Sequence, residues 1–125
     1  MGDSDRRERG AKVLEKVYAG LVQATPEGQM PFMDIMIEQL FGEIWSREAL
    51  SIRDRRLLTM GVLAANGDGA KWGIQIDCAL EAGELTAEQA REAVIHLASY
   101  AGYPKAADIL PTTEAAIARH EAKEG

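Results

Sequence analysis

A disulfide within this chain of 125 residues is ruled out, because Cys78 is its single cysteine. No intrachain bridge can form, which suits a reducing compartment. With only two histidines beside that cysteine, a Cys/His zinc site cannot be assembled and no metal site is expected. No run of 18 apolar residues occurs, so nothing reads as a membrane span. The opening MGDSDRRERG carries charge without an apolar stretch, so no secretory signal is visible there. Arg6 stands where a myristoylation signal would have Ser or Thr. The expected compartment is the cytoplasm. Basic charge is also in short supply, with 14 Lys and Arg against 20 Asp and Glu and a net charge of −6. Phosphate backbones need a basic surface, so nucleic acid is not expected as a partner. GxGxxG, the P-loop and the serine nucleophile elbow are all missing, which removes the common phosphate cradles and that hydrolase. Finally, no alternating Val/Ile/Thr run marks a strand. The fold class is all α.

What is present is a chain of apolar stripes at helical spacing, 46% hydrophobic overall, enough for one domain over residues 1–125. A first helix is expected over Asp5 to Val22, with Val13, Leu14, Val17, Tyr18 and Leu21 on its stripe and Asp3 or Ser4 as cap. A second runs from about Pro31 to Phe41, with Phe32, Ile35, Met36 and Leu40 on one side, and Gly42 breaks it. The third, Ile52 to Ala65, follows Ser51 and Asp54, a variant capping box. Its run from Leu57 onward is apolar nearly all round, which reads as burial on most sides. Asn66 to Gly69 is a turn, a fourth helix covers about Ala70 to Glu81, and Gly83 caps its end. Thr86 and Gln89 form a capping box for a fifth helix to Ala101. Gly102 and Pro104 separate it from a last helix, Lys105 to about Ala122.

The densest chemistry lies at the mouth of the third helix. Glu43, Trp45, Arg47, Arg53, Arg55 and Arg56 crowd a short stretch in a way that helix formation does not require, and together they suit acting on something small. Each one alone reads equally as part of a surface ion-pair network. His96 sits in Val94-Ile95-His96-Leu97-Ala98, where an imidazole can exchange protons near neutral pH or simply pack against a backbone carbonyl. Tyr100 is one turn on, on the same face. Gln75 and Cys78 share a face of the fourth helix. A lone cysteine is more often a small buried hydrophobe than a nucleophile, and Asp77 and Glu81 are expected to raise its pKa.

The order and spacing of these pieces resemble the carboxymuconolactone decarboxylase family over about Arg9 to Ala118. The residues that carry the resemblance are Gly42-Glu43-x-Trp45-Ser46-Arg47, Leu50-Ser51-x-Arg53-x-Arg55-x-Leu57-Leu58, Ala79-x-x-x-Gly83 with Thr86-x-Glu88, and His96-x-x-x-Tyr100-x-Gly102-x-Pro104. The resemblance implies a compact six-helix subunit, like that of alkyl hydroperoxidase D, assembled as a homotrimer or homohexamer. It also implies a lyase without metal or organic cofactor, whose namesakes decarboxylate γ-carboxymuconolactone in protocatechuate breakdown. The peroxidase branch of the superfamily carries a CxxC pair, and its two positions fall here on Asp68 and Lys71, which excludes that thiol chemistry. Gln75 falls where both branches commonly have histidine. Gln can hydrogen-bond a carboxylate or lactone but cannot transfer a proton at neutral pH.

On this reading the partner is a small-molecule carboxylate. Arg47, or next Arg53, anchors its carboxylate, Trp45 joins the binding residues, and Gln75 and Tyr100 hydrogen-bond the developing enolate oxygen. His96 or Glu43 returns the proton to carbon. The competing reading keeps the pocket in a homo-oligomer of this fold that binds an altered ligand or performs no chemistry. Phe32, Met33, Met36, Ile37 and Phe41 spread over more than one side of the second helix, which points to assembly.

Overall fold

The computed structural model describes residues 3–124, with side chains from Asp5 onward. The expected capping by Asp3 or Ser4 lies outside the described side chains. Six helices and no strand occur among the described residues. Backbone contacts divide the chain into two compact units, Met1–Arg55 and Arg56–Gly125.

In the first unit, α1 spans Asp3–Val17 and α2 spans Pro31–Ile35. α2 continues directly as a wide-turned π-helical segment, Met36–Ile44. α1 ends five residues before the expected Val22. The Gly20 N–H reaches the Glu15 carbonyl at 2.8 Å and the Ala19 N–H reaches Lys16 at 3.1 Å, the paired bonds of a Schellman close. Ala19 takes the left-handed position itself, at φ 52°, so no glycine marked this stop in the usual place. Leu21 lies beyond it and is exposed.

Gly42 does not break the second helix. The chain winds through it to Ile44, and the Trp45 N–H bonds the Leu40 carbonyl five residues back at 2.8 Å, the π pattern. Gly42 serves packing instead. A Cβ on Gly10 would lie 1.9 Å from the Ile37 carbonyl oxygen, and one on Gly42 would lie 2.7 Å from that of Arg6. The two glycines therefore let α1 and the π segment touch backbone to backbone. That approach buries Ile37 and Phe41 with Leu14 and Val17, rather than the expected side of the helix. Phe32 is 76% exposed and Ile35 60%.

α3, Ile52–Ala65, begins in the first unit and ends in the second. Ser51 Oγ accepts the Asp54 N–H at 3.0 Å at its start. Only the line Arg56, Met60, Ala64 is buried, one face at i, i+4, i+8. Leu58 and Val62, expected inside, are 63% and 60% exposed, because a single face of the helix is covered within the chain. α4 is Gly69–Glu81, capped by Asp68, whose carboxylate accepts the Lys71 N–H. Gly83, at φ 72°, closes it as expected, and the Glu84 N–H folds back to the Ala79 carbonyl at 2.9 Å. α5, Ala87–Ala101, carries the full Thr86/Gln89 capping box. α6 starts at Tyr103, not Lys105, and runs to Glu124. Pro104 falls in its first turn, where the missing N–H has no partner to lose.

Gly69 and Gly73 bring α4 against α6, since added Cβ atoms would meet the Asp108 carbonyl oxygen at 2.5 Å and Thr112 Cβ at 3.1 Å. Between these helices Trp72 is wholly buried, and its indole N–H donates to Thr113 Oγ1 at 2.6 Å. Thr113 in turn donates to the Ile109 carbonyl at 2.7 Å.

Candidate functional site

The π segment delivers the first group of candidates. Phe41 anchors it in the core, and Trp45, one turn on, stacks on Phe41 with ring centroids 6.3 Å apart. Trp45 and Arg47 then line a cleft of about 440 Å³ with Arg9, Lys16 and Ser46. Arg9 donates through Nε to the Gly42 carbonyl at 2.8 Å, so one cation of the cleft is fixed to the segment itself. Arg55 does the same for the loop by donating to the Arg47 carbonyl at 3.1 Å. Glu43 is exposed and pairs with Arg6 at 3.1 Å. Arg53 is partly buried, 4.0 Å from Asp54 on its own helix, a contact of little energetic weight.

A second group lies in the unit that begins at Arg56. Arg56 is 1% exposed and Gln75 6%. The Arg56 Nη1 donates to Gln75 Oε1 at 2.8 Å. Its Nε and Nη2 grip the two oxygens of Glu84 at 2.6 and 3.1 Å, the bidentate fork that suits a guanidinium to a carboxylate. A charge this deep persists only when paired, because removing one partner of such a pair costs ~3–5 kcal/mol. In sequence Arg56 is one more charge of the basic turn with no role of its own, and nothing local points to Glu84. Arg56 stands four before Met60 and eight before Ala64, so the helical period alone puts it on the buried face.

Cys78, on the same helix as Gln75, is fully buried and free. Burial pushes its thiol up to about 11; nearby Arg56 pulls it down, and Asp77 and Glu84 push it further up. The upward direction matches expectation, but burial leads and Glu84 takes the part given to Glu81. The cation that the last turns of α4 lack is supplied from α3 by Arg56.

His96 and Tyr100 form the third group. Their rings lie one turn apart, with centroids 5.1 Å apart and planes tilted by 36°. Both are exposed, Tyr100 at 81%. The buried line of α5 is Ala90, Val94 and Ala98, and His96 lies two residues from Val94, about 200° around the helix. Its apolar sequence neighbours are therefore not its neighbours in space, and the packed-histidine reading does not hold in the single chain. A cleft of about 390 Å³ in the same unit is apolar, with Val94, Ile95, Ala98, Tyr103, Ala106 and Leu110 among its walls.

The positions aligned with the peroxidase cysteines have a different use here. Asp68 caps α4, and Lys71 pairs with it at 3.2 Å. That capping bond and the ion pair hold the Asp68 carboxyl below its ordinary range. No thiol chemistry is available from either.

The sequence profile described as the carboxymuconolactone decarboxylase family matches residues 31–115. The chain belongs to this family. The matched range runs from α2 into α6 and includes all three groups of candidate residues. Among curated relatives, the chain is 31% identical over 103 residues to the nitrosuccinic acid decarboxylase npaB of Metarhizium robertsii, covering 82% of this chain and 71% of that protein. It is 27% identical over 109 residues to the 4-carboxymuconolactone decarboxylase of Acinetobacter baylyi, covering 83% and 81%. Both relatives are decarboxylases by name, which supports a decarboxylase-like function for this member of the family. Among the described residues no helix is long and apolar enough to cross a membrane.

Proposed function

We propose that this chain is a cytoplasmic carboxy-lyase that releases CO2 from a small carboxylated lactone, or from an aliphatic acid whose carbanion an adjacent group delocalises onto oxygen. The observation that carries it is the buried pair of Arg56 on α3 and Gln75 on α4, the latter at the position where the family resemblance implies histidine. A carboxamide held by a guanidinium is of little use to proton transfer, but it is well suited to receiving an electron-rich oxygen. The relatives' named substrates, a carboxymuconolactone and nitrosuccinic acid, share one demand. Departure of CO2 leaves an electron pair on carbon that conjugation moves onto a carbonyl or nitro oxygen.

The lowest barrier follows when fixed donors already face that oxygen. Gln75 is the buried donor, and Tyr100 offers a second. Arg47, with Trp45 beside it, anchors the retained carboxylate, with Arg53 as the next candidate. His96 or Glu43 returns a proton to the carbon. Arg47, Glu43, His96 and Tyr100 are all exposed in the single chain, so they act in a water-excluded site only when a second subunit covers them. A homotrimer or homohexamer therefore belongs to the proposal.

The test is CO2 release by the purified protein from 4-carboxymuconolactone and from nitrosuccinate. Turnover of either supports the reading, and loss in His96→Ala assigns the proton donor. A protein that binds these acids without releasing CO2 sinks the lyase and leaves a binding homo-oligomer. In that case Gln75→His raising turnover by orders of magnitude marks the chain as drifted from the family reaction.

A further inference from the structure

We infer that Arg56 and Glu84 are positioning residues that fix the polarity of Gln75, making it a donor-only contact for a substrate oxygen. The inference rests on the carboxy-lyase reading and adds what that site accepts and rejects. A carboxamide has an acceptor end and a donor end of nearly equal size, and only its surroundings decide which faces a ligand. Here the decision is forced. A guanidinium carries five donors and no acceptor, and Arg56 Nη1 lies 2.8 Å from Gln75 Oε1. Turning the amide over would set two donors against each other in a buried place.

Arg56 cannot yield by swinging away, because its Nε and Nη2 are held by both oxygens of Glu84. Glu84 is anchored in turn through its backbone, whose N–H closes α4 on the Ala79 carbonyl. The chain of constraint thus runs from the Gly83 turn through Glu84 and Arg56 to one end of one amide. What remains is Nε2 with two protons. Gln75 is only 6% exposed, and the bond from Arg56 engages its oxygen and not its nitrogen. A donor end oriented in this way, with a cation behind its carbonyl, suits a ligand acceptor.

The class of ligand follows. Carboxylate, nitro, lactone and enolate oxygens accept, and all gain from a donor backed by a cation. An ammonium group at that point would bring a proton to a proton.

The experiment follows the Gln75 side-chain amide by 15N-resolved NMR, assigned by its loss in Gln75→Glu, during titration with 3-nitropropanoate and with succinate. Calorimetry gives the affinities. Wild-type protein should show one sharp Nε2 pair that shifts with either probe. Gln75→Glu keeps the bond from Arg56 but offers no donor, so it should melt near the wild type and bind about tenfold or more weaker. Glu84→Gln frees the guanidinium and should broaden or double the Nε2 pair and weaken binding, with Glu84→Asp restoring part of both. Should Glu84→Gln not fold, Gln75→Glu and Gln75→Met carry the test. An Nε2 pair unmoved up to millimolar probe, or wild-type affinity in Gln75→Glu, overturns the inference. CO2 release distinguishes its failure from that of the lyase reading. A shifting amide without turnover retains the polarity and removes the reaction. Full turnover in Gln75→Glu retains the reaction and removes the polarity.

Discussion

Cys78 shows how far one residue's chemistry depends on neighbours from other elements. Its thiol titrates near 11, mainly because burial penalises the thiolate, so almost none of it is nucleophilic at neutral pH. Peroxide consumption with a thiol reductant should stay at background, and robust consumption lost in Cys78→Ser would contradict this. The raised pKa also fixes a pH dependence. Between the ordinary value of 9.0 and about 11, the unfolded chain has released the proton and the folded chain retains it. The thiol's contribution to stability is therefore complete below pH 9 and is lost as pH rises through 11. Denaturant midpoints measured across that window should fall, and Cys78→Ala should flatten the fall. An identical slope in both proteins would place the alkaline loss elsewhere. The residue types of the site were legible in sequence, since Gln75, Tyr100, His96 and the arginines could be named. Which of them is buried was not. His96 looked enclosed because Val94, Ile95, Leu97 and Ala98 surround it in sequence, yet helical winding sends it outward. Arg56 looked like one more charge of a basic turn, yet the same winding sends it inward.

At the scale of elements, residues whose signal is local read correctly and residues whose partner is remote did not. The Thr86/Gln89 box, the Gly83 close and the start of α3 each depend on atoms within a few positions, and each lies where the sequence put it. Gly42 and Pro104 are ordinarily breakers, but here one admits a neighbouring backbone and the other fills a first turn. No local window around Gly42 contains the Arg6 carbonyl that gives it its meaning, and none around Gly10 contains the Ile37 carbonyl. A paired substitution tests this. Gly10→Ala forces a methyl to 1.9 Å from the Ile37 oxygen, a backbone atom with no freedom to move aside. It should cost about 3 kcal/mol, at the upper end of overpacking. Gly61→Ala, in the interior of α3 with nothing within 4 Å of the added Cβ, should instead gain about 0.5–1 kcal/mol from helix propensity. Urea denaturation of both reads the difference, and equal effects would mean that the close approach of α1 and the π segment is not what Gly10 provides.

For the molecule as a whole, the question is what covers its apolar surface. Leu58 and Val62 stand one turn apart on α3 and are both more than half exposed, as are Phe32 and Ile35 on α2 and Ile95, Tyr100 and Tyr103 in the C-terminal unit. Single exposed hydrophobes are ordinary, but contiguous ones on a helix face mark contacts. Covering such a face contributes ~25 cal/mol for each Å² removed from water. The same outward faces hold His96 and Tyr100, the groups that the proposed chemistry requires to be shielded. One arrangement meets both needs, a homo-oligomer in which a neighbour covers α3 and α5 together with the reacting groups. Leu58→Asp combined with Val62→Asp tests it. Neither side chain belongs to the buried core, so the variant should keep the helical circular dichroism and the melting profile of a folded subunit. Its mass by light scattering after size exclusion should fall from three or six times 13.6 kDa to a single chain. CO2 release should fall with it, although no candidate catalytic residue has been touched. A wild-type protein that elutes as a 13.6 kDa monomer at micromolar concentration would remove the assembly. It would also remove any site that depends on a neighbour to exclude water from His96 and Tyr100.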